Sequence, residues 1–173
     1  SQSVRLRMRR LARHTREEMG NTMPTSCDRP AAALPGTYLA GVDGCRAGWV
    51  VVLAHTLGHD ARAHQVVVCP SFADVLALTP APTVLAVDMP IGLLTIPQPG
   101  GRDCDRLARQ VLGRRASRVF TPPSRSLLEA TSYAQVRGRG VTIQAFHILP
   151  KIRQVDRLMR PALQQRVYEA HPE

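Results

Sequence analysis

The sequence predicts a mixed α/β domain in which an antiparallel group of strands is followed by a strand parallel to the first. Apolar runs of strand length occupy residues 39–42, 48–53 and 63–69, separated by short links. Consecutive strands with short connections favour an antiparallel meander. Residues 71–79 have the apolar spacing of a short helix that Ser71 and Asp74 can cap, and they lead to a fully apolar strand at 83–87. Because a crossover helix most often joins parallel strands, we expect the fourth strand to lie parallel to the first.

The size and composition are those of one folded domain. The chain has 173 residues, of which 44% are hydrophobic, and no apolar run approaches the eighteen or so residues of a membrane span. The four cysteines lack C-x-x-C spacing, so we predict free thiols and a cytoplasmic location. Because no apolar run is long enough to span a membrane, we also expect no membrane partner. Residues 1–36 are basic and contain three prolines, and we expect them to form a leader outside a domain at 37–173; a targeting segment is the alternative. The oligomeric state is left open.

The second half of the chain contains further helical patterns. Residues 100–113 predict a helix with its start and stop signals in one segment, and residues 142–160 predict another. Residues 127–136 are also predicted to be helical. A short final strand is expected at 166–170.

The positive charge points to a polyanionic partner. The formal net charge is +10. Residues 1–16 hold six arginines and no acid, and residues 102–173 hold fourteen basic and six acidic residues, so the second half is where we expect a polyanion to bind. The guanidinium groups of one loop are candidate phosphate ligands: Arg114, Arg115, Arg118 and Arg125. Lys151 is a further candidate for binding nucleic acid. The alternatives are a solvated loop and an arginine-rich composition without a selected partner.

Two aspartates stand at the ends of predicted strands. Asp43 follows the first strand in a predicted turn at 43–47, and Asp88 follows the fourth. If these strands are parallel neighbours, both carboxylates emerge at the same edge about 4.8 Å apart, where they can share a hard cation. The alternative for Asp43 is an ordinary Asp-Gly hairpin turn.

Five ordered segments together carry a family resemblance: GVDGCRAGWVVV, AVDMPIGL, GRDCDRLARQVLGRRASRVFTPPSR, QAFHILPKIRQVD and EAHPE. From about Leu39 to the end of the chain they resemble the domain-of-unknown-function family 429, which is predicted to contain ribonuclease H-like nucleases. The resemblance implies a ribonuclease H-like mixed sheet with a helical insertion before the fifth strand. Members of this family continue past the His-Pro-Glu segment, so the resemblance also implies a chain truncated at its C-terminus.

The resemblance implies a nuclease that depends on Mg²⁺ or Mn²⁺. Asp43 and Asp88 correspond to the strand-end acids of such folds, and Glu169 or Glu173 lies near a third. The expected reaction is hydrolysis of phosphodiester bonds in DNA or RNA. The alternative is a non-catalytic or nucleotide- and phosphate-binding protein of the same fold.

Overall fold

A computed structural model describes residues 37–57 and 60–171, with the side chains of all of these except 57 and 60–64. The predicted leader at 1–36 and the candidate ligand Glu173 lie outside the described residues. The chain divides into two compact units. The sheet unit comprises the described residues as far as Asp88 and those from Arg166 onward, and the helical unit comprises Met89–Gln165.

The sheet unit contains one five-stranded mixed sheet. Its strands are β1 (Thr37–Cys45), β2 (Gly48–Leu57), β3 (Asp60–Cys69), β4 (Val84–Val87) and β5 (Val167–Glu169). The spatial order is β3-β2-β1-β4-β5. The first three strands form the predicted antiparallel meander, and β4 pairs parallel with both β1 and β5. The predicted parallel pairing of the first and fourth strands is therefore confirmed.

One face of the sheet carries the core of this unit because side chains alternate along a strand. In β1 the buried residues are Tyr38, Ala40 and Val42, and the residues between them are more exposed. Trp49 of β2 is fully buried and packs against Phe72, with the two ring centroids 5.0 Å apart. This contact anchors the short helix α1 (Phe72–Leu76) on the buried face.

Helix α1 begins where its capping residues predict. Ser71 is the N-cap, and its hydroxyl accepts a hydrogen bond from the backbone N–H of Asp74. The Asp74 carboxylate accepts a hydrogen bond from the Ser71 backbone N–H at 2.9 Å, which completes a capping box. The helix ends at Leu76, three residues before the predicted limit.

The β1–β2 turn is tighter than predicted. β1 continues to Cys45, so the turn contains only residues 46 and 47 and Asp43 lies inside the strand, paired with Val50. The prediction of a turn at 43–47 was wrong because the antiparallel ladder extends past Asp43. The turn requires glycine at position 48: Gly48 has φ +135°, and a Cβ atom there would lie 2.1 Å from the carbonyl oxygen of Cys69.

The link between β2 and β3 is also shorter than expected. The sequence predicts strands at 48–53 and 63–69, whereas β2 reaches Leu57 and β3 begins at Asp60. Because the paired strands satisfy each other's backbone hydrogen bonds, polar residues that are typical of a loop can lie within the hairpin.

The helical unit contains two longer helices joined by short 3-10 turns. The helices are α2 (Asp103–Leu112) and α3 (Ile143–Leu158). The 3-10 segments are Gly113–Arg118, Arg125–Leu127, Tyr133–Gln135 and Pro161–Leu163. Thr142 caps α3 by accepting from the backbone N–H of Ala145 at 3.1 Å.

The predicted helix at 127–136 is not formed. Its two ends are separate 3-10 turns, and Ser132 begins the second one with the Gln135 side chain accepting its backbone N–H. Leu127 and Val136 are both buried in a small core with Val141 and Ala145, and Phe146 packs on it. Serine and threonine favour turns over helix interiors, which explains the break near residue 132.

Arginine side chains hold the start of α2. Arg102 and Asp105 form a buried ion pair, with exposed fractions of 6% and 3% and a shortest N–O distance of 2.6 Å. Arg102 also donates to the carbonyl oxygen of Ile91 at 2.6 Å. Gly101 precedes the pair with φ +79°, and a Cβ atom there would lie 2.9 Å from the Asp105 carboxylate. The glycine therefore leaves room for the buried carboxylate.

Candidate functional site

Asp43 and Asp88 lie side by side at one edge of the sheet. The parallel register of β1 and β4 ends with Val42 opposite Val87, and the backbone N–H of Asp88 donates to the Val42 carbonyl at 2.9 Å. The two aspartates are thus the next residues on neighbouring parallel strands, a separation of about 4.8 Å between the chains. Asp43 is exposed and Asp88 is half-buried. The pair is accessible to a solvated ion.

Glu169 lies in a different row of the sheet. Glu169 is opposite Val87, and the residue level with Asp88 is Ala170, whose backbone N–H donates to the Val87 carbonyl at 2.9 Å. Because successive side chains in a strand point to opposite faces, this register separates Glu169 from the aspartate pair. Glu169 is exposed.

No cluster of three or more His, Cys, Asp and Glu side chains able to hold a metal occurs among the residues that the structure describes. The donor set that the register brings together is therefore Asp43 and Asp88. Two carboxylates suit a hard cation such as Mg²⁺, which keeps several waters and is often held by one or two carboxylates. Soft donors are not part of this pair, so the chemistry favours Mg²⁺ or Mn²⁺ over zinc.

The predicted phosphate-binding arginines belong to the helical unit and differ in their surroundings. Arg114, Arg115 and Arg118 are exposed in the 3-10 helix that follows α2. Arg125 instead donates to both carboxylate oxygens of Asp156, with an N–O distance of 2.9 Å. The hydrogen bond to Asp156 raises the pKa of Arg125. Its guanidinium group is therefore engaged within the protein.

Lys151 lies on α3 and is half-buried. It is less exposed than Arg114 and Arg115 and lies on a different helix. Its role in binding nucleic acid stays a prediction.

Sequence reasoning missed two features of the helical unit. The first is Asp156, the partner of Arg125, which lies thirty-one residues away and leaves no local signal. The second is the buried pair of Arg102 and Asp105, for which an i,i+3 spacing of opposite charges before an apolar stripe is a usable signal.

Three free cysteines are found in the described part of the chain, Cys45, Cys69 and Cys104, as the spacing of the cysteines predicts. None of the helices described is both long enough and apolar enough to cross a membrane.

Comparison with known proteins identifies a family but no characterised relative. The family described as "Protein of unknown function (DUF429)" matches residues 41–173. Neither the curated proteins nor the solved structures contain a match to this chain. The match covers both aspartates, Glu169 and the arginines of the helical unit. Since it spans well over half of the sequence, the chain belongs to the DUF429 family.

Proposed function

We propose that this protein is a divalent-metal-dependent nuclease of ribonuclease H-like fold, with Asp43 and Asp88 as its metal ligands. The observation that carries the proposal is the placement of these two carboxylates on neighbouring parallel strands at one sheet edge. The strand order β3-β2-β1-β4-β5, with only the meander antiparallel, supports the fold assignment.

The backbone holds the Cα atoms of Asp43 and Asp88 at adjacent positions on neighbouring strands. Asp43 pairs with Val50 of β2, and its neighbour Val42 accepts a hydrogen bond from the backbone N–H of Asp88. A divalent cation bound between two neighbouring carboxylates favours their charged forms. The sheet thereby provides an electrostatic reason for cation binding at this edge.

A bound Mg²⁺ or Mn²⁺ would supply an activated water and would stabilise the leaving oxygen of a phosphodiester. Asp43 is the more exposed of the two ligands. The exposed Arg114 and Arg115 support nucleic acid as the substrate, because one guanidinium group can donate to two phosphate oxygens at once.

Binding of a nucleotide or phosphate without hydrolysis is the second candidate function. It is favoured by the register that separates Glu169 from the aspartate pair, since two-metal hydrolysis usually needs more carboxylates than two. The same class of fold serves both functions.

Cleavage of labelled DNA and RNA with Mg²⁺ or Mn²⁺ tests the proposal. We expect cleavage that a chelator abolishes and that Asp43→Asn reduces by at least about a hundredfold, since one ligand charge is lost without a change of shape. Glu129→Gln is the matched control, because Glu129 is an exposed carboxylate of the helical unit that pairs with Arg157. This variant should cleave like the wild type.

Direct titration with Mn²⁺ separates the two candidate functions. Binding that Asp43→Asn weakens, together with cleavage, supports the nuclease. The same binding without cleavage of any substrate favours the second candidate. Cleavage that resists the chelator, or equal activity in wild type and Asp43→Asn, contradicts the metal mechanism. Glu169→Gln in the same titration shows whether this residue contributes to the site.

A further inference from the structure

The face of the sheet that carries Asp43 and Asp88 has an uncharged row of residues beside these aspartates. Successive side chains in a strand point to opposite faces, so the two aspartates lie on the face opposite the buried Val42 and Val87. One row of paired residues crosses all five strands on the aspartate face. From β3 to β5 the row consists of Val66, Val52, Gly41, Ala86 and Tyr168.

This row is exposed at both ends and open over its centre. Val66 is 45% exposed and Tyr168 is 48% exposed. Gly41 lies on the central strand β1, and a Cβ atom added there would meet nothing within 4 Å outside its chain neighbours. Ala86 stands next to it with only a methyl side chain and is half-buried. Gly41 and Ala86 therefore form a shallow floor beside the larger side chain of Tyr168.

The floor adjoins the two aspartates. Asp43 and Asp88 each lie two residues after the floor residue of their own strand, which is about 6–7 Å along the strand. Tyr168 is level with Ala86 on the next strand, so its Cα atom lies roughly 8 Å from that of Asp88. An aromatic side chain can reach across such a diagonal. A ligand held at the aspartates therefore extends over the floor within reach of the Tyr168 ring.

We propose that Gly41, Ala86 and Tyr168 bind an unpaired nucleobase, which lies over the floor and stacks on the Tyr168 ring. The inference rests on the proposed function, because the aspartate pair must hold the neighbouring phosphate through its cation. A glycine inside a strand often marks a place where a ligand approaches the backbone closely. Aromatic side chains stack with any base whose face is free, so the substrate is single-stranded or unpaired DNA or RNA.

The size of the open surface favours a base over a second copy of the chain. With the neighbouring row that contains Leu39 and Val84, the apolar surface is about 19 Å by 13 Å, on the order of 250 Å². A stable interface between proteins buries roughly 800 Å² on each partner. The next row holds Asp43 and Asp88, whose carboxylates would be costly to bury against an apolar partner. A nucleotide instead places its phosphate at the cation and its base on the floor.

Fluorescence anisotropy with two labelled single strands of equal length tests the proposal. One strand carries all its bases, and the other has the same backbone with abasic residues. Both are titrated with the full chain in Ca²⁺, a hard cation that carboxylates bind. We expect the wild type to bind the intact strand roughly tenfold more tightly than the abasic strand. Tyr168→Ala should remove this difference, and Tyr168→Phe should keep it because the ring remains.

Two further variants separate loss of the base contact from damage to the fold. Gly41→Val covers the floor, and we expect it to remove the preference for the intact strand without a loss of stability, since the space above Gly41 is open. Val66→Ala is the matched control at the other end of the same row. This variant should bind both strands like the wild type. Binding of the abasic strand should be equal in all the variants.

Several outcomes would overturn the nucleobase site. These are equal binding of the intact and abasic strands by the wild type, no binding of either strand, or a preference that survives Tyr168→Ala. A dimer in sedimentation velocity that Tyr168→Ala dissociates would show that a second copy covers this face, which also contradicts the proposal. The titration of Asp43→Asn with Mn²⁺ tests the metal site by itself, so the failure of one proposal is distinguishable from the failure of the other.

Discussion

The two compact units of the chain hold their polar groups in place by different means. In the sheet unit the positions of Asp43 and Asp88 follow from backbone hydrogen bonds between parallel strands. In the helical unit arginine side chains hold many of the polar groups in place. Their guanidinium groups donate to the carbonyl oxygens of Ile91, Gly100, Gly101 and Leu128.

Because of this difference, several arginines of the helical unit bind groups of the protein itself. Arg102, Arg106 and Arg109 bind carbonyl groups of the loop before α2, and Arg125 binds Asp156. A chain segment with little regular structure leaves many carbonyls unsatisfied, and a guanidinium group with five N–H donors can satisfy several at once. Part of the arginine excess in the second half therefore supports the fold. Arg114 and Arg115 are better candidates for an external partner.

Breaking the Arg102–Asp105 pair should have the largest effect on stability. Asp105→Ala leaves a buried guanidinium without its carboxylate, and we expect a loss of about 3–5 kcal/mol in the free energy of unfolding. Chemical denaturation measures this loss.

The control is the double variant Arg102→Met with Asp105→Leu, which replaces the pair by apolar side chains of similar size and should recover most of the loss. A loss below about 1 kcal/mol in Asp105→Ala would show that the helical unit does not depend on this ion pair.

A glycine-to-alanine substitution at the β1–β2 turn should test the stability of the sheet unit in the same way. Gly48→Ala places a Cβ atom 2.1 Å from the backbone oxygen of Cys69 in a conformation that L side chains rarely adopt, so we expect a loss of about 1–3 kcal/mol. Gly41→Ala is the matched control, because no atom lies within 4 Å of the added Cβ. Thermal denaturation of both variants decides the point, and equal melting temperatures would contradict the expected clash.

Arg125→Ala should affect stability slightly and nucleic-acid binding hardly at all. The ion pair with Asp156 is half-exposed, so we expect a loss of about 1 kcal/mol or less. Because the pKa of Arg125 is raised by its hydrogen bond to Asp156, the stabilisation is complete at every pH below the ordinary pKa of arginine and is lost only as the pH rises through the raised pKa. Denaturation near pH 6 and pH 9 should give the same difference between Arg125→Ala and wild type.

Arg115→Ala should show the opposite balance. We expect unchanged stability, weaker binding of an oligonucleotide, and a salt dependence whose slope in log K against log salt is flatter by about 0.9, the value for one lost phosphate contact. Fluorescence anisotropy at several salt concentrations measures both quantities. If Arg125→Ala weakened binding more than Arg115→Ala, the division of the arginines into structural and external groups would be wrong.

Local patterns in the sequence determined most of the sheet and the proximity of its two aspartates. Period-two and fully apolar runs marked the strands, and Ser71 with Asp74 marked the start of α1. Strand connections of these lengths allow few topologies, so the parallel pairing of β1 with β4 could be predicted, and with it the edge shared by Asp43 and Asp88. Each of these signals acts over a few neighbouring residues.

The tertiary structure decided which groups meet over long distances in sequence. The face on which Glu169 lies depends on the register of β5 against β4. A slip of one residue in this register moves every side chain to the other face, and strand patterns in the sequence do not specify the register to one residue. The contact of Arg125 with Asp156 and the exposure of Leu107 and Val111 depend on what lies opposite each side chain. An apolar stripe predicts an amphipathic helix, but the buried Arg102–Asp105 pair determines which face of α2 points inward.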